Sequence, residues 1–134
     1  MWDKFIEASE LQGEITQKTV KFAEEFGAHL AYKADRFDKT CLTTSQLRKF
    51  FGEVKRQQLM GYNPTSFTML KPKLAYAVGR AKQNTKGYLK IEDFYRVMAD
   101  AIDKVEQAPD KKKAFKNFIT AFEAIVAYHK ASEK

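Results

Sequence analysis

Apolar residues recur at helical spacing through most of the chain, most clearly between residues 42 and 56. Leu47, Phe50, Phe51 and Val54 fall at positions i, i+3, i+4 and i+7, which share one side of a helix. Four large apolar groups on one side need a core to cover them. The pattern therefore predicts a core helix in the centre of the chain.

Both ends of this central helix are marked in the sequence. Either Thr43 or Thr44 can serve as the N-cap, and Gln46 follows Thr43 by three residues, the spacing of a reciprocal capping pair. The helical pattern is later interrupted by three turn-forming residues, Gly61, Asn63 and Pro64. We expect the helix to run from about Thr43 to about Leu59 and to be followed by a loop that contains Tyr62 and Phe67.

Other segments repeat this spacing, and no stretch alternates as a strand would. Further long helices are expected over residues 14–36, 70–81, 91–105 and 110–129. Residues 1–12 are expected to form a short, mobile N-terminal helix. In the long helix that begins at Glu14, Gly27 and His29 are expected on the exposed side. The predicted fold is all-α, a single compact bundle of about five helices that forms one domain over residues 1–134.

Positive charge is concentrated in the middle third of the chain. The net charge is +7, and residues 42–90 carry ten Lys or Arg side chains against one acid, Glu53. Residues 1–41 carry six basic and eight acidic side chains, and residues 91–134 carry eight of each. Such a block of one sign is typical of surfaces that bind polyanions, whereas solubilising surfaces mix both signs.

The basic residues of the central helix form two rows. At about 100° per residue, Arg48 and Lys55 share one flank, Lys49 and Arg56 share the other, and Gly52 lies between them. A glycine here has two interpretations: close packing of a neighbouring helix, or bare backbone that a phosphate can approach.

Further cations and aromatic residues follow in the sequence, so the central block has the composition of a nucleic-acid surface. The candidate RNA-binding residues are Arg48, Lys49, Lys55, Arg56, Lys73, Arg80, Lys82 and Lys86. Tyr62, Phe67 and Tyr76 provide rings for stacking. Side chains that read bases are sparse, so contacts to the nucleic-acid backbone, without sequence preference, are expected.

No pattern of catalytic or metal-binding residues emerges. A calcium loop starting at Asp38 would close on Lys49, where a glutamate is required. His29 and His129 lack the spacing of metal ligands, and His129 is expected to be half-buried and structural. Glu92 and Asp93 suit the positive end of a helix. We therefore expect no enzyme activity, no metal and no cofactor.

The sequence contains no apolar run of about 18 residues and one cysteine, Cys41. A membrane span and an intrachain disulfide are thus not expected. Both observations fit a cytoplasmic protein.

Three blocks, in order, resemble a known family. They read Leu-Thr-Thr-Ser-Gln-Leu-Arg-Lys-Phe-Phe at 42–51, Leu-Lys-Pro-Lys-Leu-Ala-Tyr-Ala-Val-Gly-Arg at 70–80 and Phe-Glu-Ala-Ile-Val-Ala-Tyr-His-Lys at 122–130. Together they look like the small helical subunit of type III-A CRISPR effector complexes, the Csm small subunit. The resemblance spans roughly residues 40–130.

This resemblance implies a non-catalytic subunit that repeats along an RNA-guided effector. Its implied partners are guide RNA, target RNA, the large and backbone subunits, and further copies of itself. By this analogy the cations of the central block would face the RNA backbone, with base pairing reading the sequence.

Two other functions are compatible with the sequence. A helical protein-interaction module could dock its basic helices on an acidic partner, because Tyr and Phe residues are available for contact. A small hydrolase using Cys41 and a histidine has no local motif to support it.

Overall fold

The computed structural model describes residues 2–133 and has seven α-helices and no strand in that range. The helices are α1 Ala8–Gln12, α2 Gln17–Ala31, α3 Thr44–Met60, α4 Pro64–Thr68, α5 Leu70–Asn84, α6 Lys90–Glu106 and α7 Lys111–Ser132. The all-α prediction is confirmed. Five helices are long, and α1 and α4 have five residues each.

The central helix begins as the sequence predicts. The Thr43 hydroxyl accepts a hydrogen bond from the Gln46 amide at 3.1 Å, and the Gln46 side chain accepts one from the Thr43 amide at 2.9 Å. Leu47, Phe50 and Val54 are buried on the apolar side of α3. This reciprocal cap fixes where α3 starts and therefore which side faces the core.

The most extensive contact between helices joins α2 to α7, and a glycine makes it possible. A Cβ atom on Gly27 would lie 2.8 Å from the backbone nitrogen of His129 and 2.8 Å from the carbonyl oxygen of Ile125. Gly27 is buried at this crossing, so the expectation that it lies on the exposed side of α2 is wrong. Helical periodicity predicted an outward position for Gly27, because the pattern within α2 carries no information about a helix that is distant in sequence.

Helix α2 is shorter than the predicted range of residues 14–36. The Thr16 hydroxyl accepts a hydrogen bond from the Lys18 amide and caps the helix at Gln17. Beyond Ala31, the Asp38 carboxylate accepts a hydrogen bond from the Ala34 amide at 2.9 Å. Such local side-chain bonds compete with helical hydrogen bonds and end the helix early.

The N-terminal segment is helical only over Ala8–Gln12, so the prediction of a helix over residues 1–12 is wrong from Trp2 to Glu7, and Met1 lies outside the described residues. Phe5 and Ile6 are buried in the core cluster. The Phe5 amide donates to Asp100 at 2.8 Å, and Lys104 Nζ donates to the Ile6 carbonyl oxygen at 3.2 Å. Side chains of α6 thus anchor this segment through bonds that local sequence does not reveal.

The segment expected to be a loop after α3 contains the short helix α4. Asn63 caps it by accepting a hydrogen bond from the Ser66 amide at 2.9 Å. Phe67 is fully buried and its ring packs edge-on against Phe115 and Phe118. Phe67 is therefore a core residue, and the suggestion that it could stack on bases is wrong.

Candidate nucleic-acid interface

Helices α3 and α5 form the two walls of an open groove. Helix α3 packs mainly on α7 and α5 packs mainly on α6, so a space of about 780 Å³ remains between the two walls. Its floor is apolar and includes Leu42, Phe50, Leu70, Leu74, Ile91 and Phe94. The α3 rim carries Gln46, Lys49 and Glu53, and the α5 rim carries Lys73, Tyr76, Arg80 and Asn84.

Three of the eight predicted cations meet at this groove: Lys49, Lys73 and Arg80. Glu53 lies among them. Its carboxylate is 3.2 Å from Lys73 Nζ and accepts two hydrogen bonds from Arg56, both at 2.9 Å. The Arg56 hydrogen bonds, together with Lys73, hold the pKa of Glu53 below its ordinary value. The groove therefore has a cationic rim with one ionised carboxylate near one end.

The remaining predicted cations lie on other parts of the surface. Lys55 pairs with Glu123 of α7 at 3.0 Å, and Arg48 is exposed on the same flank of α3. Lys82 pairs with Glu92 of α6 at 3.0 Å, and Lys86 is exposed in the loop that precedes α6. The eight cations therefore do not form one continuous strip, and which of them contact RNA stays a prediction.

The ion pairs leave these cations available to other anions. The side chains of Lys55, Arg56, Lys73 and Lys82 are between 42% and 58% exposed. Pairs this exposed contribute at most about 1 kcal/mol. A phosphate can therefore replace the carboxylate partner at little cost.

Gly52 faces open space on the outer side of α3. Nothing lies within 4 Å of a Cβ atom built on it, and the same is true of Gly79 on α5. The interpretation that a neighbouring helix packs closely on Gly52 is therefore wrong for residues 2–133. The backbone between the two basic rows of α3 is accessible.

The aromatic residues near the groove differ in exposure. Tyr76 lies on the rim and is 68% exposed. Tyr62 is half-buried against Phe67 and Phe115, and burial of its hydroxyl raises its pKa. Of the three rings that the sequence offered for stacking, Tyr76 is the one that projects into solvent.

The structure contains a buried polar cluster around Asp93 that the sequence pattern did not indicate. Asp93 is 2% exposed, lies 2.6 Å from His29 Nε2, and also accepts hydrogen bonds from the Tyr88 hydroxyl and from Arg96. Glu92 does act at the helix start, where it accepts the Leu89 amide at 2.9 Å. Asp93 also lies in the first turn of α6, as expected, and in addition it ties α2 to α6 through His29, 64 positions away, a separation over which a single sequence carries no signal.

The histidines have structural partners. His129 is buried and its Nε2 lies 2.7 Å from the Leu42 carbonyl oxygen, so its predicted structural role is confirmed, with deeper burial than expected. Nε2 of His29 is hydrogen-bonded to the Asp93 carboxylate. Cys41 lies in a smaller cavity of about 230 Å³ that no histidine lines. Within residues 2–133, no three metal-ligating side chains are grouped.

None of the helices in the described part of the chain has the length and apolar character needed to cross a bilayer.

Comparison with known proteins identifies the family. The family model described as Csm2 Type III-A matches residues 13–134, nearly the whole chain, and the groove lies within the matched range. Searches of curated proteins and of solved structures found no match. The three blocks that resembled the Csm small subunit all fall inside the match. The chain belongs to the Csm2 Type III-A family, the small subunit of type III-A CRISPR effector complexes.

Proposed function

We propose that this chain binds the backbone of the guide RNA–target RNA duplex without sequence preference and packs against neighbouring subunits of its effector complex. The Csm2 family is structural and non-catalytic. In this role the chain neutralises phosphates, and base pairing between the two RNAs carries the sequence information. The cations of α3 and α5 make the phosphate contacts.

The observation that carries the proposal is the set of cations at the groove. Lys49, Lys73 and Arg80 converge there from two helices, with Arg56 one turn beyond Glu53 on α3. No carboxylate of residues 2–133 forms an ion pair with Lys49 or Arg80. Cations without an internal partner on facing walls suit an external polyanion.

Exposed apolar side chains at the two ends of α3 support packing against other subunits. Leu59, Met60 and Met69 are exposed where α3 ends and α5 begins. Tyr32, Phe37 and Tyr88 are exposed in the segments that lead into α3 and α6. Large exposed apolar groups mark contact surfaces when they gather in one region. Contacts to the large and backbone subunits, and between copies of this chain, would use these ends.

A charge-reversal experiment tests RNA binding. The double variant Lys49→Glu and Arg80→Glu places two carboxylates at the groove. We expect weaker binding to an RNA duplex at low salt, and a plot of log affinity against log salt that is shallower by roughly one per lost phosphate contact. Binding is measured by titration of the full chain and of the assembled complex.

The matched control is Lys112→Glu with Lys113→Glu on α7. Both lysines are exposed, neither lines the groove, and the change in net charge is the same. Two acids at a helix N-terminus are also favourable for folding. If both double variants lose RNA affinity equally, the loss is explained by net charge alone. If the groove variant keeps its RNA affinity, RNA binding by this face is refuted. A nuclease-resistant complex with an acidic protein alone would favour the interaction-module function.

A further inference from the structure

The groove holds more than a phosphate-binding surface requires. Phosphate contacts need cations on an open surface, whereas here about 780 Å³ of space lies between α3 and α5 above an apolar floor. Ligand pockets for small organic groups have this size, with apolar walls and a few polar groups at the rim. Cations and apolar surface together suit a ligand that is both anionic and aromatic.

The relative direction of α3 and α5 places the cations and the exposed ring of the two walls opposite each other. Glu53 lies beside Lys73, and Gln46 and Asn84 line the same smaller cavity, so α3 and α5 run antiparallel. Lys49 lies between these two levels and therefore faces the turn of α5 that carries Tyr76 and Arg80. One exposed ring thus has a cation on its own helix and another across the groove.

The floor favours a planar ring over a docked helix. Each of its six apolar residues is at most 8% exposed, so little apolar surface is open to a partner. A helix in a groove inserts several anchors spaced at i, i+3, i+4 and i+7. A nucleobase inserts one flat group and leaves its phosphates at the rim, where the cations are.

We infer that the groove between α3 and α5 accommodates one unpaired nucleobase of the bound RNA, with Tyr76 against the base and Lys49 and Arg80 at the flanking phosphates. This inference rests on the proposed RNA binding and adds a subsite to it. The Gln46 side-chain oxygen accepts the Thr43 amide and the Asn84 amide nitrogen donates to the Arg80 carbonyl oxygen, so the Gln46 NH2 group and the Asn84 side-chain oxygen are the rim groups offered to the edge of the base.

The test compares two RNA duplexes that differ at one nucleotide. One is fully paired, and the other carries a single unpaired 2-aminopurine whose fluorescence reports stacking. We expect the full chain to bind the duplex with the unpaired base about tenfold more tightly, within the range for one base stacked on an aromatic ring. The fluorescence should change on binding.

Two variants separate the subsite from the cationic surface. Ala77→Trp fills the groove, and Tyr76→Leu removes the exposed ring at a position where the fold is not at risk. Both should lose the preference for the unpaired base and keep paired-duplex affinity within about twofold, since stacking contributes only when a base is free. Ala75→Trp is the matched control, because Ala75 is exposed on the same helix outside the groove.

The outcomes distinguish failure of the nucleobase subsite from failure of the proposed RNA-duplex binding. Equal affinity for the two duplexes, unchanged in both variants, overturns the nucleobase subsite and leaves duplex binding intact. Failure to bind either duplex refutes the proposed function itself. Loss of a nuclease-resistant contact with an acidic subunit in Ala77→Trp, with RNA binding unchanged, would assign the groove to a protein partner.

Discussion

Lys73 Nζ on α5 lies 3.2 Å from Glu53 Oε1 on α3, so an ion pair bridges the groove near one end. Glu53 is the single acid between residues 42 and 90, and it also pairs with Arg56. One carboxylate thus neutralises two cations of the face that we propose binds RNA. Glu53 should limit the affinity of this face for a polyanion.

The variant Glu53→Gln releases both cations. We expect RNA duplex affinity to rise about threefold to tenfold at low salt, with less gain at high salt because exposed charges are screened. Loss of two exposed ion pairs should lower the free energy of unfolding by no more than about 1 kcal/mol each. Titration and urea unfolding measure the two quantities. Glu24→Gln on α2, an exposed acid outside the groove, is the control for net charge, and an equal gain there would contradict the local effect.

Gly27 and Gly52 should respond oppositely to alanine. Gly27→Ala places a Cβ atom 2.8 Å from backbone atoms of α7, so the free energy of unfolding should fall by about 1–3 kcal/mol. Gly52→Ala meets no atom of residues 2–133 within 4 Å, so it should raise that free energy by about 0.5–1 kcal/mol. Urea unfolding of both variants checks this. A stable Gly27→Ala protein would show that α2 and α7 can separate without cost.

Asp93 should matter for stability more than any surface acid of α6. In Asp93→Asn, one oxygen acceptor is replaced by an amide donor that faces His29, Tyr88 or Arg96, and we expect a loss of about 1–3 kcal/mol. Asp103→Asn, on the same helix but half-exposed and paired with Lys71, should change stability by less than about 1 kcal/mol. Equal effects in thermal unfolding would argue against the buried cluster.

Asp38 should make the fold sensitive to acid. Hydrogen bonds from the Ala34 amide and from Thr40 lower the pKa of Asp38 from 3.8 to about 2. A carboxyl with a lowered pKa stabilises the fold fully above its unfolded pKa and loses that contribution as the pH falls toward its folded pKa. The contribution should therefore disappear between pH 3.8 and about 2. Unfolding as a function of pH should be flatter over that window in Asp38→Asn than in the parent.

Local signals predicted the helices where capping and periodicity act within a few residues. Thr43 and Gln46 fix the start of α3, and its apolar side is buried as expected. The end of α2 was misplaced because Asp35 and Asp38 bind nearby backbone amides, an alternative that periodicity does not weigh.

Distant partners explain the other differences. Gly27 meets α7, Phe5 bonds Asp100, and Phe67 lies under Phe115, all across long stretches of sequence. At the candidate site, too, some features were predictable from local sequence and others depend on distant contacts. Charge composition indicated the cationic helices, but the groove and the internal ion pairs depend on which helices α3 and α5 pack against.

The width of the groove depends on the helices that support its two walls. Each wall rests on another helix, and Phe122 of α7 contacts both Phe50 and Phe94 beneath the floor. A change in the size of that one ring would shift α3 relative to α6 and so widen or narrow the opening. Substitutions deep in the interior, far from any charged group, can thus alter the opening of the proposed RNA-binding groove.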